Sequence, residues 1–155
     1  MKPNNRISIA LSGDNERKRL LYDMAKVSAC PGVYTDLYKY TDDVDIIANV
    51  WDIDTGSTRM WFNTIAYHII YLSEESESPP SARLERYLAN RISDAKVVVV
   101  LTQPPAEHIT EMCKSAGAQC LALKDRIRPF VSELLKIEYD NRVQAATERL
   151  LEACR

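Results

Sequence analysis

Short apolar runs alternate with amphipathic stretches along this chain. Ile7–Leu11 predicts a first strand, and Glu16–Val27 predicts a helix with Leu20, Leu21, Met24 and Val27 on one face. Asp14 or Asn15 stands where a side chain can accept from the free amides of that helix's first turn. Cys30-Pro31-Gly32 predicts a turn, and Val33–Tyr40 a short edge strand or an ordered loop. Ile46–Ile53 predicts a strand, Arg59–Ala66 a short helix and Tyr67–Leu72 a strand rich in branched and aromatic side chains. The acidic, serine- and proline-rich stretch 73–81 predicts a solvated loop. Ala82–Ile92 predicts a helix, and Val97–Leu101 a strand covered on both faces, because successive residues are apolar. Ala106–Ala116 predicts a helix stopped by Gly117, and Ala118–Leu123 a last short strand. Arg128–Cys154 predicts a helix with a break near Tyr139-Asp140-Asn141. Parallel neighbours need crossovers, and helices supply them. The order therefore predicts an α/β fold, a three-layer α/β/α sandwich with a mostly parallel central sheet.

At 155 residues the chain predicts one domain, 1–155, in which 138–155 forms a C-terminal helical extension. Val143, Ala146, Leu150 and Cys154 make a stripe on that extension that suits packing onto the domain or onto a neighbour. A net charge of −2 gives no global electrostatic case for nucleic acid or an anionic membrane. The four cysteines, Cys30, Cys113, Cys120 and Cys154, include no CxxC pair, and with His68 and His108 they do not make a zinc pattern. Neither a metal nor a cofactor is expected. Met1–Arg6 carries no apolar signal core, and Val97–Leu101 is too short to span a bilayer, so the expected location is the cytoplasm.

Open parallel sheets bind ligands beyond the carboxyl ends of their strands. Three predicted strand ends stand out: Ser12-Gly13-Asp14-Asn15, Asp52-Ile53-Asp54-Thr55-Gly56 and Thr102-Gln103-Pro104-Pro105. With "VWDIDTG" (50–56), "HIIYLSEES" (68–76) and "VVVVLTQPP" (97–105), the order over roughly residues 6–137 resembles Ras-like small GTPases and their P-loop relatives. That resemblance implies a nucleotide-binding scaffold, but the phosphate motif G-x-x-x-x-G-K-[ST] keeps only its first glycine here. In "GDNERKRL" Lys18 replaces the second glycine, Arg19 the lysine, and Leu20 the magnesium-holding hydroxyl. Asp14 adds a negative charge where phosphate would lie. "DIDTG" does not reproduce the family's aspartate-x-x-glycine, and Thr102-Gln103-Pro104-Pro105 offers no carboxylate to read guanine. Orthodox GTP hydrolysis is therefore not expected. A looser likeness runs to TIR-like and flavodoxin-like modules. Some TIR-like members cleave NAD with a pocket glutamate, a context that Glu74, Glu75 and Glu77 in a polar loop do not match.

Asp52 and Asp54, two apart at a strand end, either hold a cation or form an acid/base pair, or else satisfy turn amides and helix N-termini; the last is the expectation. Arg17, Lys18, Arg19 and Lys26 read as a solvated face before they read as a phosphate site. His68 and His108 have no nucleophile beside them in sequence, and no catalytic residue is nominated. Ligand-edge candidates are Gly13, Asp14, Asn15, Lys18, Arg19, Asp52, Asp54 and Thr102. The leading expectation is a non-hydrolysing, GTPase-like protein-interaction module that uses Tyr34, Tyr38, Tyr40, Trp61 and Phe62 to hold a protein partner. The alternative is a divergent enzyme that binds an NTP or NAD.

Overall fold

A computed structural model describes residues 3–55, 65–73, 79–123 and 126–155. The elements run β1 (Arg6–Gly13), α1 (Arg17–Met24), β2 (Val27–Cys30), β3 (Val33–Lys39), β4 (Asp45–Asp52), a 3-10 turn (Ile53–Thr55) and β5 (Ile65–Leu72). They continue with α2 (Pro80–Ala89), β6 (Lys96–Leu101), α3 (Glu107–Ser115), β7 (Gln119–Ala122) and α4 (Arg128–Ala153). The seven strands form one sheet in the order β2-β3-β4-β1-β5-β6-β7. β1 pairs in parallel with β4 and β5, and β5-β6-β7 continue in parallel; only β2 and β3 run antiparallel to their neighbours. The fold is the predicted mostly parallel α/β sandwich.

Alternation along the strands splits the core in two. Ile7, Ile9, Leu11, Ile69, Val98 and Val100 face the side that α1 and α4 cover with Leu21, Met24, Val131 and Leu135. Ile70, Leu72, Val97, Val99 and Leu101 face Leu84 and Leu88 of α2 and Ile109 and Cys113 of α3. Burying one such Leu or Ile contributes about 1.5–3 kcal/mol, against about 0–1 for an exposed ion pair, so these two layers carry the fold.

Several boundaries depart from the sequence pattern. α1 stops at Met24 because Ala25 is already extended, and Val27 opens β2, where it is exposed. A Pro31-Gly32 turn, with Gly32 at φ 82°, then folds β2 onto β3. This hairpin makes β3 an interior strand and moves the edge to β2. Ala66, expected at a helix end, sits inside β5, while 56–64, with most of that expected helix, lie outside the described residues. The acidic residues 74–78 lie outside them too. α4 is unbroken across 139–141. Tyr139 packs its ring against Tyr40 at 5.1 Å and Asp140 accepts the Tyr40 hydroxyl, so the tripeptide expected to break the helix instead clamps it to the end of β3.

At Gly13 the sheet demands a glycine. It has φ 117°, and a Cβ there would lie 2.1 Å from the Tyr71 carbonyl oxygen of β5. Gly117, at φ 70°, has open space around it. Gly13→Ala is therefore expected to destabilise by about 3–5 kcal/mol from strain and overpacking together, and Gly117→Ala by about 1–2 from backbone strain alone. Urea unfolding of the two variants measures the difference; equal losses would contradict the close approach of β1 and β5.

Candidate functional site

The carboxyl edge of the sheet gathers around the turn that leaves β1. Gly13 donates its amide to Asp54 Oδ2 at 3.3 Å, and Asp14 donates its own to the Tyr71 carbonyl at 2.9 Å. Arg17 opens α1 and shares its inner face with Leu21 and Met24 at helical spacing, so its side chain is carried inward. The guanidinium meets Asp52, the last residue of β4, in a forked pair: Nε to Oδ1 at 3.1 Å and Nη2 to Oδ2 at 3.3 Å. Nη1 donates to the carbonyl oxygens of Gly13 and Asp14, each at 3.3 Å. Asp54 Oδ2 lies 3.7 Å from Nε and closes the cluster on its open side. A phosphate-binding turn aims its amides inward. This turn aims two carbonyls inward, onto a cation that belongs to the chain.

Asp14 faces the other way. Its buried carboxylate sits between the ends of β1 and β5, where it accepts Arg83 Nε at 3.1 Å, the Ser73 amide at 2.7 Å and the Tyr87 hydroxyl at 2.6 Å. Arg83 also donates to the Ser73 carbonyl. The charge expected to oppose a phosphate is thus spent on α2 and the end of β5, which corrects that expectation. Burial and the bond to Asp14 raise the Tyr87 pKa, which keeps its hydroxyl a donor.

The structure brings together Gly13, Asp14, Asp52 and Asp54 and leaves the other nominees out. Asn15, Lys18, Arg19 and Thr102 are exposed and take no part in this network. Asp52 and Asp54 do not share a strand face, because the chain enters the 3-10 turn at Ile53; they meet through Arg17, and Asp52 Oδ1 also accepts the Asp54 amide at 3.3 Å. Satisfying turn amides is what both carboxylates do. Arg17, expected on a solvated basic face, instead points inward, and no sequence motif singles out Arg83. The missed signal is spacing: Arg17-Leu21-Met24 puts a cation on the apolar face of α1, and Arg83 sits beside Leu84 on α2.

The aromatic nominees scatter. Tyr38 is buried at 5% exposure, donates to the Met24 carbonyl at 2.8 Å and lies under the Arg128 guanidinium at 4.5 Å. Burial pushes its pKa to about 12. It is a core residue, which corrects its expected place on a docking surface. Tyr34 and Tyr40 are half-buried against the same core, and Trp61 and Phe62 lie outside the described residues.

His68 and Ser12 form a pair that the sequence did not signal. Nε2 lies 2.8 Å from the Ser12 hydroxyl, and Nδ1 accepts the Ile92 amide at 3.2 Å. Because Nδ1 is an acceptor, the ring proton sits on Nε2 and points at the serine. That tautomer cannot take the serine's proton, and both residues are buried between the central strands and α2. The pair holds the core and is not a nucleophile with its base. His108 is exposed. Among the described residues no group of three or more His, Cys, Asp or Glu is placed to hold a metal ion, and no helix is long and apolar enough to cross a membrane.

No family model matches the sequence, and no curated protein matches it. Solved structures do match the fold. EhRabX3 from Entamoeba histolytica, crystallised bound to GTP, superposes with a TM-score of 0.54 at 10% identity over 96% of this chain and 54% of that one. Era, solved with MgGDPNP and nucleotides 1506–1542 of 16S ribosomal RNA, gives 0.55 at 14% identity over 88% of this chain and 57% of that one. The sheet and its helices therefore have a P-loop-GTPase-like fold. The chain spans little more than half the length of either of these two proteins.

Two measurements test this geometry. Asp14→Asn removes the negative charge that Arg83 and Tyr87 donate to, and Arg83→Met removes the cation from the buried Asp14 carboxylate; each should cost about 3–5 kcal/mol in urea unfolding, whereas Arg19→Ala, on the exposed face, should stay within about 0.5. Burial lowers the His68 pKa from 6.5 to about 4. The unfolded chain therefore binds the extra proton first, so this contribution is complete above pH 6.5 and is lost as pH falls toward 4. It amounts to about 3 kcal/mol at most. Unfolding at pH 7 and pH 4.5 should show this loss in the native chain and a smaller one in His68→Gln; identical pH profiles would contradict the buried neutral ring.

Proposed function

We propose that this chain is a GTPase-fold domain that neither binds nor hydrolyses nucleotide and acts as a protein-interaction module. The observation that carries the reading is the Arg17 guanidinium held by Asp52 and by the carbonyls of Gly13 and Asp14. A polyphosphate at the first turn of such a fold needs inward amides, a lysine and a hydroxyl that holds magnesium. Leu20 supplies no hydroxyl, Lys18 and Arg19 lie on the outer face, and inward carbonyls repel an anion. Reopening the turn for phosphate would require breaking a buried forked ion pair, a loss of about 3–5 kcal/mol before any ligand contact forms.

The second crevice, between β1 and β5, offers no easier entry. Asp14 fills it with a carboxylate that already has Arg83, Ser73 and Tyr87 as partners. Among the described residues, both crevices at this edge are filled by charges paired within the chain, which suits a domain that works through its surfaces. We place it in the cytoplasm, where its four free thiols would stay reduced.

Thermal unfolding with millimolar GTP, ATP or NAD, each with and without magnesium, tests the reading. A ligand present at 100 times its Kd stabilises by about 2.7 kcal/mol, or about 5–10 °C in a domain of this size. The expected shift is none for any of the three. A magnesium-dependent rise with GTP, abolished in Asp52→Asn, would overturn it.

A further inference from the structure

α4 is longer than the sheet it covers. Its buried stripe runs through Val131, Leu134, Leu135 and Tyr139. The same stripe continues at helical spacing as Arg142, Ala146, Arg149 and Leu150. Arg142 marks where the sheet ends: its Nη1 donates to the carbonyls of Asn4 and Arg6 at 2.9 and 2.8 Å, and its Nε to Glu138 at 3.1 Å. Residues 143–153 then project about 16 Å farther. On this free segment Val143, Leu150 and Leu151 are exposed, Leu150 at 55%.

Between the projecting helix and the incoming N-terminal segment lies an open groove of about 490 Å³, lined by Pro3, Arg6, Arg142, Ala146, Arg149 and Leu150. Its lining is aliphatic at Pro3, Ala146 and Leu150 and cationic at Arg6, Arg142 and Arg149. Glu138 answers the charge of Arg142, whereas Arg6 and Arg149 make no ion pair among the described residues. The groove thus carries uncompensated positive charge on a chain whose net charge is −2.

We propose that this groove docks an acidic amphipathic segment of a partner protein, with an aliphatic side chain against Ala146 and Leu150 and carboxylates on Arg6 and Arg149. Charge complementarity selects that occupant. A second copy meeting this face across a twofold axis would set arginines against arginines. The aliphatic lining and the acidic remainder of the chain disfavour a nucleic acid or an anionic bilayer. The inference rests on the interaction-module reading for the nature of the partner and adds the surface and its chemistry. It uses neither the β1 turn nor any nucleotide.

The test is fluorescence anisotropy of the full chain with a fluorescein-labelled helical peptide of Leu and Glu at amphipathic spacing, beside matched Leu/Gln and Leu/Lys peptides. The Leu/Glu peptide should bind, and the others at least tenfold more weakly. Affinity should fall with salt, and Arg6→Glu/Arg149→Glu and Leu150→Ala should each reduce it at least tenfold. Both changes lie on exposed positions, and unaltered circular dichroism confirms that the chain stays folded. Absent binding, binding unaffected by these variants, or equal binding of the Leu/Gln peptide would overturn the proposal. So would groove-dependent dimerisation in sedimentation, or groove-dependent binding to phosphatidylserine vesicles. None of these outcomes bears on nucleotide binding, so this inference and the reading it rests on fail by separate measurements.

Discussion

A guanidinium removed from water needs acceptors on most of its edge, and Arg17 takes four oxygens at the carboxyl end of the sheet. That requirement shapes the turn after β1. Two carbonyls must face inward, so Gly13 takes a positive φ and runs against Tyr71. Asp52 must end β4 facing α1, and Asp54 follows in the 3-10 turn to receive the Gly13 amide. The backbone, one glycine and two carboxylates are all organised by a single cation.

A mirror arrangement lies one strand away. Between β1 and β5 the buried charge is the anion Asp14, and the donors come from α2 and the end of β5. Neighbouring crevices of one sheet edge are therefore closed by charges of opposite sign, each paired within the chain. Buried pairs of this kind are weak contributors to net stability, because desolvation offsets most of their attraction. They fix where α1 and α2 sit, and the Gly13 and Asp14 amides are already taken by Asp54 and the Tyr71 carbonyl. The stability of the GTPase-like fold resides in the two apolar layers, which are indifferent to what fills the edge.

The sheet was legible in the sequence because it depends on periodicity. Val97–Leu101, apolar on successive residues, lies between β5 and β7 with both faces covered. The β2–β3 hairpin escapes the sequence pattern because Val27 keeps helical spacing with Met24, and only pairing with β3 makes it a strand. At the edge, the sequence shows where the chain departs from the phosphate-binding motif but not which side chains fill the turn. Lys18 and Arg19 look as basic as Arg17, and only the packing of Leu21 and Met24 decides which of the three turns inward. Asp14 turns away from the expected phosphate side because a loop residue's direction is set by its partners, and Arg83 lies 69 residues away in sequence. Tyr38 failed as a surface anchor for a similar reason, since α4 returns from the far end of the chain to cover it.

The central claim is that Arg17 occupies the β1 turn and stays there. Nitrogen-15 NMR of the Arg17 Nε–H reads this directly, because a guanidinium held in a buried forked pair exchanges its proton slowly with water. The expected result is a slowly exchanging Arg17 resonance that is lost in Asp52→Ala and does not move on addition of millimolar MgGTP. A rapidly exchanging resonance, or one that MgGTP displaces, would mean that the turn is open to phosphate.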